Sequence, residues 1–478
     1  MEPNSQGMPS VATTYQYDAW GDLYSASQNG VSGETARTRS FNYDEFSRLL
    51  SSTNPETGTI QYSYDPNGNV TAKTDARGQL IKYSYDPLNR LMSKSYSNGT
   101  VVAAYGYDGN NYKGTSLSTL GFQSSLSIGR LSEITNVGNS AVIYSYDPVG
   151  RVASQQQYLQ SSNDWSTKSS AQYDFVGNIT DLTYPDHRHI KQTWDSAGRL
   201  RTSDLVDIGG VSQSQSYVQA GTYLADGSPN IVNLGNGIQE TIAENNRLQV
   251  QSMTVSTPFA PFAGHPFLSH TYCYSNCVSG APTGDNGNIG SITDALNGSR
   301  TQSFTYDGLN RIGSFSLGGT LNQQYAIDSF GNLSGVVGGS PTTSFDPSTN
   351  RTSNLPCSAS TPAYDAAGNQ TCDSDANGAV RVYKYDGVGR TSQIAMLGNT
   401  ANPFETYAYL GDSRIRKSSP PSGTFTEYVG FNGEPIAEKD QAGTWTDYIF
   451  AGASASQRLE PAACRFILVE PTAPIAGC

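Results

Sequence analysis

The chain has little of what most enzymes and membrane proteins require. Its 478 residues include only four histidines and six cysteines, and charged residues make up 15% of the sequence. Gly-x-Ser-x-Gly elbows, Gly-Lys-(Ser/Thr) phosphate loops and His-Glu-x-x-His motifs do not occur. No apolar run reaches the roughly 18 residues of a membrane span. The sequence therefore predicts no enzyme, no cofactor and no transmembrane segment.

Positive charge is also scarce. The 29 lysines and arginines are outnumbered by 41 acidic residues, and the net charge is −12. Because nucleic acid requires a basic surface, nucleic-acid binding is not expected. The first residues, MEPNSQGMPS, lack the basic start and apolar centre of a signal peptide.

Tyrosine and aspartate are abundant, and they occur together. Thirty tyrosines and 41 acidic residues would give about three Tyr–acid pairs by chance. Ten Tyr–Asp pairs occur, beginning at Tyr17, Tyr43, Tyr64, Tyr85, Tyr107, Tyr146, Tyr173, Tyr306, Tyr364 and Tyr385. Several of them, such as those at 43, 64 and 85, are 21 residues apart. This regular spacing identifies an internal repeat.

Each repeat predicts a β-hairpin. Aromatic and β-branched residues alternate with polar residues before the Asp, as at Ile60, Tyr62 and Tyr64, and a period of two is typical of a strand. The Asp, followed by a small residue and then by Gly or Asn, predicts a tight turn. A second strand and a second turn, as at Asn98-Gly99, complete the 21 residues. Successive hairpins are expected to pair into one antiparallel sheet, because a single hairpin cannot bury its apolar face.

Residues that recur at equivalent places in the hairpins are interpreted as repeat-defining structural residues. The Tyr is expected to form rows across neighbouring hairpins, the Asp to accept backbone N–H groups, the Gly to adopt positive φ and the Arg to pair with the Asp of a neighbouring repeat. They are Tyr43, Asp44, Tyr64, Asp65, Gly68, Tyr85, Asp86, Arg90, Tyr146, Asp147, Gly150, Arg151, Tyr173, Asp174, Gly177, Tyr306, Asp307, Arg311, Tyr385, Asp386, Gly389 and Arg390.

These motifs resemble the YD-repeat family, also called Rhs repeats. The matching segments are YDPNGNV, YDPLNRL, YDPVGRV, YDFVGNI, WDSAGRL, YDGLNRI and YDGVGR, and the resemblance covers most of residues 15–455. The family includes bacterial Rhs polymorphic toxins, the shell component of insecticidal toxin complexes, and animal teneurins. The resemblance implies an all-β chain of tandem hairpins in a continuous, curved or spiralling antiparallel sheet that forms part of a shell. In bacterial members, that shell encloses a C-terminal toxin segment.

The strength of the resemblance suggests a division of the chain. Residues 1–14 are an N-terminal segment, 15–200 a YD-repeat array, 201–305 degenerate repeats with a loop insertion, 306–455 a second array with the end of the core, and 456–478 a non-repeat tail. Bacterial members close their core with an Asp-Pro-x-Gly-Leu self-cleavage motif. Here Asp147-Pro148-Val149-Gly150 is followed by Arg151 inside an ordinary repeat. No catalytic residue is therefore carried over, and the chain is expected to be an incomplete shell.

The cysteines allow more than one reading. Cys273 and Cys277 could close a small disulfide in an exported chain, or they could remain free, half-buried thiols. Cys357 and Cys372 flank the Asp365–Gly368 turn but are not at mirrored positions, so direct pairing would need a shifted register.

Two groups of residues resemble metal ligands. The segment DSDANG, Asp373–Gly378, matches the opening of a calcium loop, but Lys384 stands at the place that needs a bidentate Glu. A repeat turn is the preferred interpretation. His187 and His189 would share one face of a strand, but a third ligand is missing, so no metal site is predicted.

The leading hypothesis is a non-enzymatic shell segment of an exported bacterial protein, located outside the cell or at its surface. Its partners would be a toxin polypeptide or further shell segments. One alternative is a cell-surface adhesin whose tyrosine rows stack against glycans, and another is an enzyme hidden in residues 200–305. Unpaired strand edges would promote association with other chains, unless Met1–Val11 and Pro461–Cys478 cover them.

Overall fold

The structure is a computed structural model. It describes residues 2–3, 9–30, 34–120, 126–136, 140–159, 164–257, 263–274, 277, 284–337, 344–353, 355, 357, 363–374, 377–450 and 467–471. The described residues contain strands, turns and two short 3-10 helices, Leu117–Leu120 and Gly298–Arg300, and none of them lies in an α-helix. Within this part of the chain, no helix has the length and apolar character needed to cross a membrane.

The strands are short and follow one another closely. The first group comprises β1 (Glu2–Pro3), β2 (Pro9–Val11), β3 (Thr13–Tyr17), β4 (Leu23–Gln28), β5 (Arg37–Tyr43), β6 (Leu49–Asn54), β7 (Gly58–Tyr64), β8 (Val70–Thr74), β9 (Leu80–Tyr85), β10 (Leu91–Tyr96), β11 (Val101–Tyr107), β12 (Leu131–Thr135), β13 (Ala141–Tyr146), β14 (Val152–Leu159), β15 (Asp164–Tyr173), β16 (Ile179–Thr183), β17 (Arg188–Trp194) and β18 (Leu200–Ile208).

The second group comprises β19 (Val211–Tyr223), β20 (Pro229–Leu234), β21 (Gln239–Glu244), β22 (Val250–Ser256), β23 (Leu268–Cys273), β24 (Ser291–Asp294), β25 (Gln302–Tyr306), β26 (Ile312–Leu317), β27 (Leu321–Ile327), β28 (Leu333–Val337), β29 (Cys372–Ser374), β30 (Val380–Tyr385), β31 (Thr391–Met396), β32 (Glu405–Leu410), β33 (Ser413–Ser419), β34 (Thr424–Phe431), β35 (Glu434–Asp440), β36 (Trp445–Phe450) and β37 (Ile467–Pro471).

Sequence neighbours pair antiparallel throughout. Strands β3–β28 follow chain order in one long sheet, β29–β37 do so in a nine-stranded sheet, and β1 pairs with β2. The predicted all-β fold of tandem hairpins in a continuous antiparallel sheet is confirmed. Of the predicted tail 456–478, the structure describes only Ile467–Pro471, which pairs with β36.

Each strand has one packed face and one solvated face, as its alternating sequence predicts. In β9, Ile81 is buried, Tyr83 and Tyr85 are half-buried, and Lys82 and Ser84 between them are exposed. Hydroxyl pairs join neighbouring strands on the solvated face at a constant separation of nine residues. They are Ser84–Ser93, Thr193–Thr202 and Thr305–Ser314, at 2.6, 2.8 and 2.6 Å.

The chain divides into two compact units. Unit 1 contains residues 1–61, 220–356 and 363–368, and unit 2 contains residues 62–219, 357–362 and 369–478. Each unit thus combines early repeats, before residue 220, with late repeats after it. The boundaries suggested by the sequence at 200, 305 and 455 remain a prediction.

Candidate functional site

Each YD turn, the five residues that begin with the repeat Asp, is organised by that carboxylate. Asp86 Oδ1 accepts the main-chain N–H groups of Leu88 and Arg90, both at 2.9 Å, and its Oδ2 accepts Arg90 Nε at 2.6 Å. The Asn89 N–H donates to the Asp86 carbonyl at 2.9 Å, and Asn89 has a φ of 60°. One side chain therefore satisfies donors that the reversed main chain leaves unpaired.

The same geometry recurs at every predicted repeat. The predicted tyrosines Tyr43, Tyr64, Tyr85, Tyr146, Tyr173, Tyr306 and Tyr385 each end a strand, and the Asp that follows each one opens a turn. Arg follows at the fifth place in the turns of Asp44, Asp86, Asp147, Asp195, Asp307 and Asp386, and its Nε donates to Oδ2 of the same Asp at 2.6 to 2.8 Å. The glycines Gly68, Gly150, Gly177 and Gly389 have φ values between 89° and 101°.

These hydrogen bonds keep the turn carboxylates ionised. The side-chain hydrogen bond from Asn69 lowers the pKa of Asp65, and the side-chain and backbone bonds from Arg199 lower the pKa of Asp195. At Asp86, burial opposes the change, but the bonds from Arg90 outweigh it and lower the pKa. The turns thus carry fixed negative charge at neutral pH.

The tyrosine of each repeat is bonded to the repeat before it. Tyr85 Oη donates to the Val70 carbonyl at 2.9 Å, and Val70 is the first residue after the preceding YD turn. The equivalent bonds are Tyr107 to Leu91, Tyr146 to Leu131, Tyr173 to Val152, Tyr306 to Ile289, Tyr385 to Gln370 and Tyr409 to Thr391, at 2.5 to 3.0 Å. Burial raises the pKa of Tyr173 to about 12, so the hydroxyl keeps its proton.

The turn arginine covers the ring of the next tyrosine. The Arg90 guanidinium lies 4.4 Å from the centre of the Tyr107 ring, and Arg151 and Arg390 lie 4.6 and 4.4 Å from Tyr173 and Tyr409. Arg90 also forms a bidentate pair with Asp108, at 3.1 and 2.8 Å. The predicted pairing of Arg with a neighbouring Asp is present there, whereas Arg151 Nη1 donates instead to the Asp174 carbonyl. Each Arg therefore holds its own turn and the next one together.

Where the fifth residue is Asn, a different link joins consecutive turns. Asn69 Nδ2 donates both to Asp65 and to the side chain of Asn89, each at 2.8 Å, and Asn89 is the positive-φ residue of the next turn. The pairs Asn288–Asn310 and Asn332–Asn350 repeat this link at 2.9 and 2.7 Å. Short amides thus replace the long guanidinium when the next turn offers an Asn.

Within unit 1, late YD turns lie against the opposite ends of early hairpins. We call the turns at those opposite ends return turns. The Arg37 guanidinium lies 4.2 Å from the centre of the Phe330 ring and donates to the Pro347 carbonyl. Arg351 Nη2 donates to the carbonyl of Glu56, in a return turn, at 2.7 Å. These contacts join residues about 300 apart in sequence.

Unit 2 contains the same type of contact. Arg77, in the return turn after β8, donates to the carbonyls of Asp386 and Gly387 at 3.1 and 3.2 Å. A Cβ at Gly387 would overlap the ring of Tyr96. Further along, the Gln155 side chain donates to the Gly430 carbonyl at 2.8 Å.

A buried ionic group closes this series in unit 2. Arg188 Nε lies 3.1 Å from Asp447 and 3.5 Å from Asp186, and Arg188 Nη1 donates to Tyr217 Oη at 2.8 Å. Asp447 is fully buried, and Arg188 is 5% exposed. Tyr184 Oη donates to the Tyr448 carbonyl beside them at 2.9 Å. The early strand β17 and the late strand β36 are therefore joined in a site from which water is excluded.

A cleft of about 760 Å³ lies between early and late strands of unit 2. Val142, Leu410 and Ile415 pack beneath it, with Ile134 and Tyr144 beside them. Its wall also carries Tyr409, Tyr428 and Tyr448 with Asp412, Glu434 and Glu438. Burial raises the pKa of Tyr144 to about 12.

The histidine pair is arranged differently from the prediction. His187 has a φ of 70° and lies in the turn before β17, because the strand starts only at Arg188. The prediction that His187 and His189 share a strand face is therefore wrong. His189 bonds Asp207 and Asp181 at 2.9 and 3.1 Å and so joins β16, β17 and β18.

The calcium-like segment and the cysteines have structural partners. Asp373 is paired with Arg381 at 2.6 Å, while Asp375 lies outside the described residues. Among the described residues, no three His, Cys, Asp or Glu side chains come together as a possible metal site. Disulfides join Cys273 to Cys277 and Cys357 to Cys372, so the second pair does bond although it is not mirrored across the turn.

Several residues take repeat roles that sequence reasoning did not assign. Trp194 Nε1 donates to the Ile179 carbonyl, and Tyr274 Oη to the Val250 carbonyl, in the position of the repeat tyrosine. Tyr409 does the same although Leu410 follows it. The signal available was the 21-residue spacing of Trp194 from Tyr173. Tyr274 and Tyr409 lack the following Asp that defined the motif.

Comparison with known families agrees with this geometry. The RHS repeat family model matches residues 43–80 and 64–101. The chain is an RHS-repeat protein. A search of the curated proteins finds no match to this RHS-repeat chain.

Solved structures with the same fold belong to toxin complexes. The RHS-repeat chain is 15% identical to the chain in a crystal structure of TcdB2-TccC3, with a TM-score of 0.64, and the match covers 94% of this chain and 27% of that one. For TcdB2-TccC3-TEV the values are 15%, 0.67, 91% and 25%. For a Photorhabdus luminescens Tc holotoxin pore they are 15%, 0.59, 92% and 27%. The chain thus spans about a quarter of the length of the solved chains that it matches.

Proposed function

We propose that the chain is a non-enzymatic wall segment of a shell in an exported bacterial protein, and that the wall encloses or presents a toxin polypeptide. The observation that carries this proposal is the coupling between consecutive hairpins. Each turn is bonded to the next through Arg or Asn, and each tyrosine is bonded back to the preceding repeat. Such a chain of links gives a sheet that grows along one axis, which suits a wall better than a compact domain.

The described residues also offer uses for the acids and bases other than catalysis. The turn carboxylates are occupied by main-chain N–H groups and by Arg or Asn side chains. The likeness to toxin-complex structures, whose fold the chain shares, supports an exported protein with protein partners.

Solution X-ray scattering of size-fractionated protein tests the wall proposal. A thin, curved profile around a low-density interior is expected. A compact, solid particle would overturn the proposal.

A second candidate function is glycan binding, and the cleft in unit 2 is the observation that favours it. Tyrosines with carboxylates beside them are suited to sugar rings and hydroxyls. The rows of repeat tyrosines are less suited, because Arg side chains cover rings such as that of Tyr107. A glycan array on the intact chain and on Tyr428→Ala is the test: binding lost in the variant supports this function, and a flat array for the intact chain excludes it.

A further inference from the structure

The YD turns of the late repeats are capped, and the cap has a consistent chemistry. In unit 1, Arg37 reaches the carbonyl of Pro347, the residue after the turn Asp346. In unit 2, Arg77 reaches the carbonyl of Gly387, the residue after the turn Asp386. In both units, the guanidinium comes from the return-turn end of an early hairpin. It meets a carbonyl that the turn itself leaves without a donor.

Apolar contacts accompany these arginines. Phe330, two residues after Asp328, lies beneath the Arg37 guanidinium and is half-buried. Val388, two residues after Asp386, is also half-buried, and its neighbour Gly387 lies against the Tyr96 ring. A capped YD turn therefore places an apolar side chain and a carbonyl against an arginine and an aromatic ring.

The YD turns of the early repeats present the same groups to solvent. In unit 1, Trp20 and Phe46, two residues after their turn aspartates, are 85% and 77% exposed. In unit 2, Leu88, Val149 and Val176 occupy the same turn position. They are 71%, 72% and 80% exposed, and Phe175 beside Val176 is fully exposed. Large apolar side chains exposed in rows mark an interaction surface rather than ordinary surface.

We propose that the YD turns of the early repeats form a docking edge for the return-turn end of another YD-repeat polypeptide. This partner would supply an arginine to the carbonyl after each turn Asp and an aromatic or apolar group to the side chain after it. The inference deepens the proposed shell function and rests on it, because the partner is a further shell segment. It is argued from the caps formed separately within each unit.

A second copy of this chain lacks the complementary group. Its late return turns, residues 317–320, 397–404, 419–423 and 440–444, contain neither Arg nor Lys. Arg77 belongs to an early return turn and is already bonded to the late repeats. The partner is therefore a separate YD-repeat polypeptide with arginines in its return turns.

A cyclised hairpin peptide with the sequence of residues 70–85, which presents Arg77 in its turn, serves as the probe. Fluorescence anisotropy measures its binding to the full chain. Hydrogen exchange locates it. Saturable binding with protection at residues 86–90, 147–151 and 174–178 is expected. The peptide with Arg77→Ala, and the full chain with Phe175→Ser and Val176→Ser, should each bind at least tenfold more weakly. These serines replace exposed side chains, and an unchanged unfolding curve confirms that the variant is folded.

Three results would overturn the proposal. The first is no binding, and the second is equal binding of both peptides. The third is concentration-dependent self-association of the chain that Phe175→Ser and Val176→Ser abolish, which would make a second copy the partner. The scattering profile of the chain alone is independent of all three, so failure of the docking edge is distinguishable from failure of the shell function.

Discussion

At the scale of single residues, the turn aspartate is the most heavily used side chain in the molecule. Both oxygens of Asp86 and Asp147 accept hydrogen bonds from the main chain or from Arg. An ionised carboxylate accepts at both oxygens, whereas a protonated one must use an oxygen as a donor. The turns therefore depend on ionisation.

Acid should weaken the fold through these turns. The pKa values of Asp65, Asp86, Asp147 and Asp195 are lowered in the folded chain. An unfolded Asp has a pKa of about 3.9, so the stabilisation is complete above about pH 4 and is lost as the pH falls through the lowered folded values. Urea unfolding from about pH 6 to pH 2 should show a falling free energy of unfolding below about pH 4. Asp86→Asn should make this fall shallower, and a free energy that stays level to pH 2 would contradict the argument.

The tyrosine hydroxyl should contribute measurably to stability. Tyr146→Phe removes the bond to the Leu131 carbonyl and leaves the ring in place. A loss of about 1 kcal/mol in the free energy of unfolding is expected, because a half-buried acceptor is left without its donor. Tyr17→Phe, at a side chain that is 59% exposed, is the control and should change the free energy by much less. Equal effects would mean that the hydroxyl bond is not stabilising.

At the scale of the hairpin, the links between turns are separable from turn geometry. Asn89 both adopts positive φ and accepts hydrogen bonds from Asn69 and Asn67. Glycine would satisfy the first requirement and fail the second. Ser47 occupies the same turn position with a φ of 59°. The two positions therefore form a matched pair.

Asn89→Gly should destabilise the chain, whereas Ser47→Gly should stabilise it. The first removes two amide contacts and should cost about 0.5–1 kcal/mol, and the second relieves positive φ and should gain up to about 1 kcal/mol. Urea unfolding of both variants measures the difference. If both substitutions stabilise the chain, the Asn69–Asn89 link contributes nothing.

The hairpins could be predicted from the sequence, but their connections could not. The alternation in Ile60, Tyr62 and Tyr64 and the turn residues Asp65 and Gly68 specify a strand and its reversal, since both depend on local geometry. The tyrosine hydroxyl bond joins residues 15 or more positions apart, so it depends on how neighbouring hairpins pair. The contacts of Arg37 and Arg77 with late turns are further removed still, because spacing within a repeat says nothing about contacts across some 300 residues.

At the scale of the whole molecule, early and late repeats of unit 2 are joined by two very different ion pairs. Arg188 and Asp447 are buried, whereas Lys94 pairs with Asp412, which is 84% exposed, at 3.2 Å. Removing one partner of a buried pair leaves an uncompensated charge, but an exposed partner is replaced by water. The two pairs therefore separate the effect of burial from that of connection.

Asp447→Ala should lower the free energy of unfolding by roughly 3–5 kcal/mol, because Arg188 then keeps only Asp186 as an acidic neighbour. Asp412→Ala should lower it by less than about 1 kcal/mol. Chemical unfolding of both variants, compared with the unmodified chain, is the measurement. Similar losses would show that position between early and late strands, rather than burial, sets the energy.

The Arg188–Asp447 pair also has a consequence in time. At about 5–20 residues per second, a ribosome needs roughly 13–50 s to make the 259 residues that separate these two partners. Throughout this interval the nascent chain must keep a guanidinium and the hydroxyls of Tyr184 and Tyr217 hydrated in a region that later becomes dry. Early hairpins can form as they emerge, but this part of the wall cannot close before synthesis is almost complete. A chaperone acting on this protein would therefore meet a long-lived, half-finished sheet.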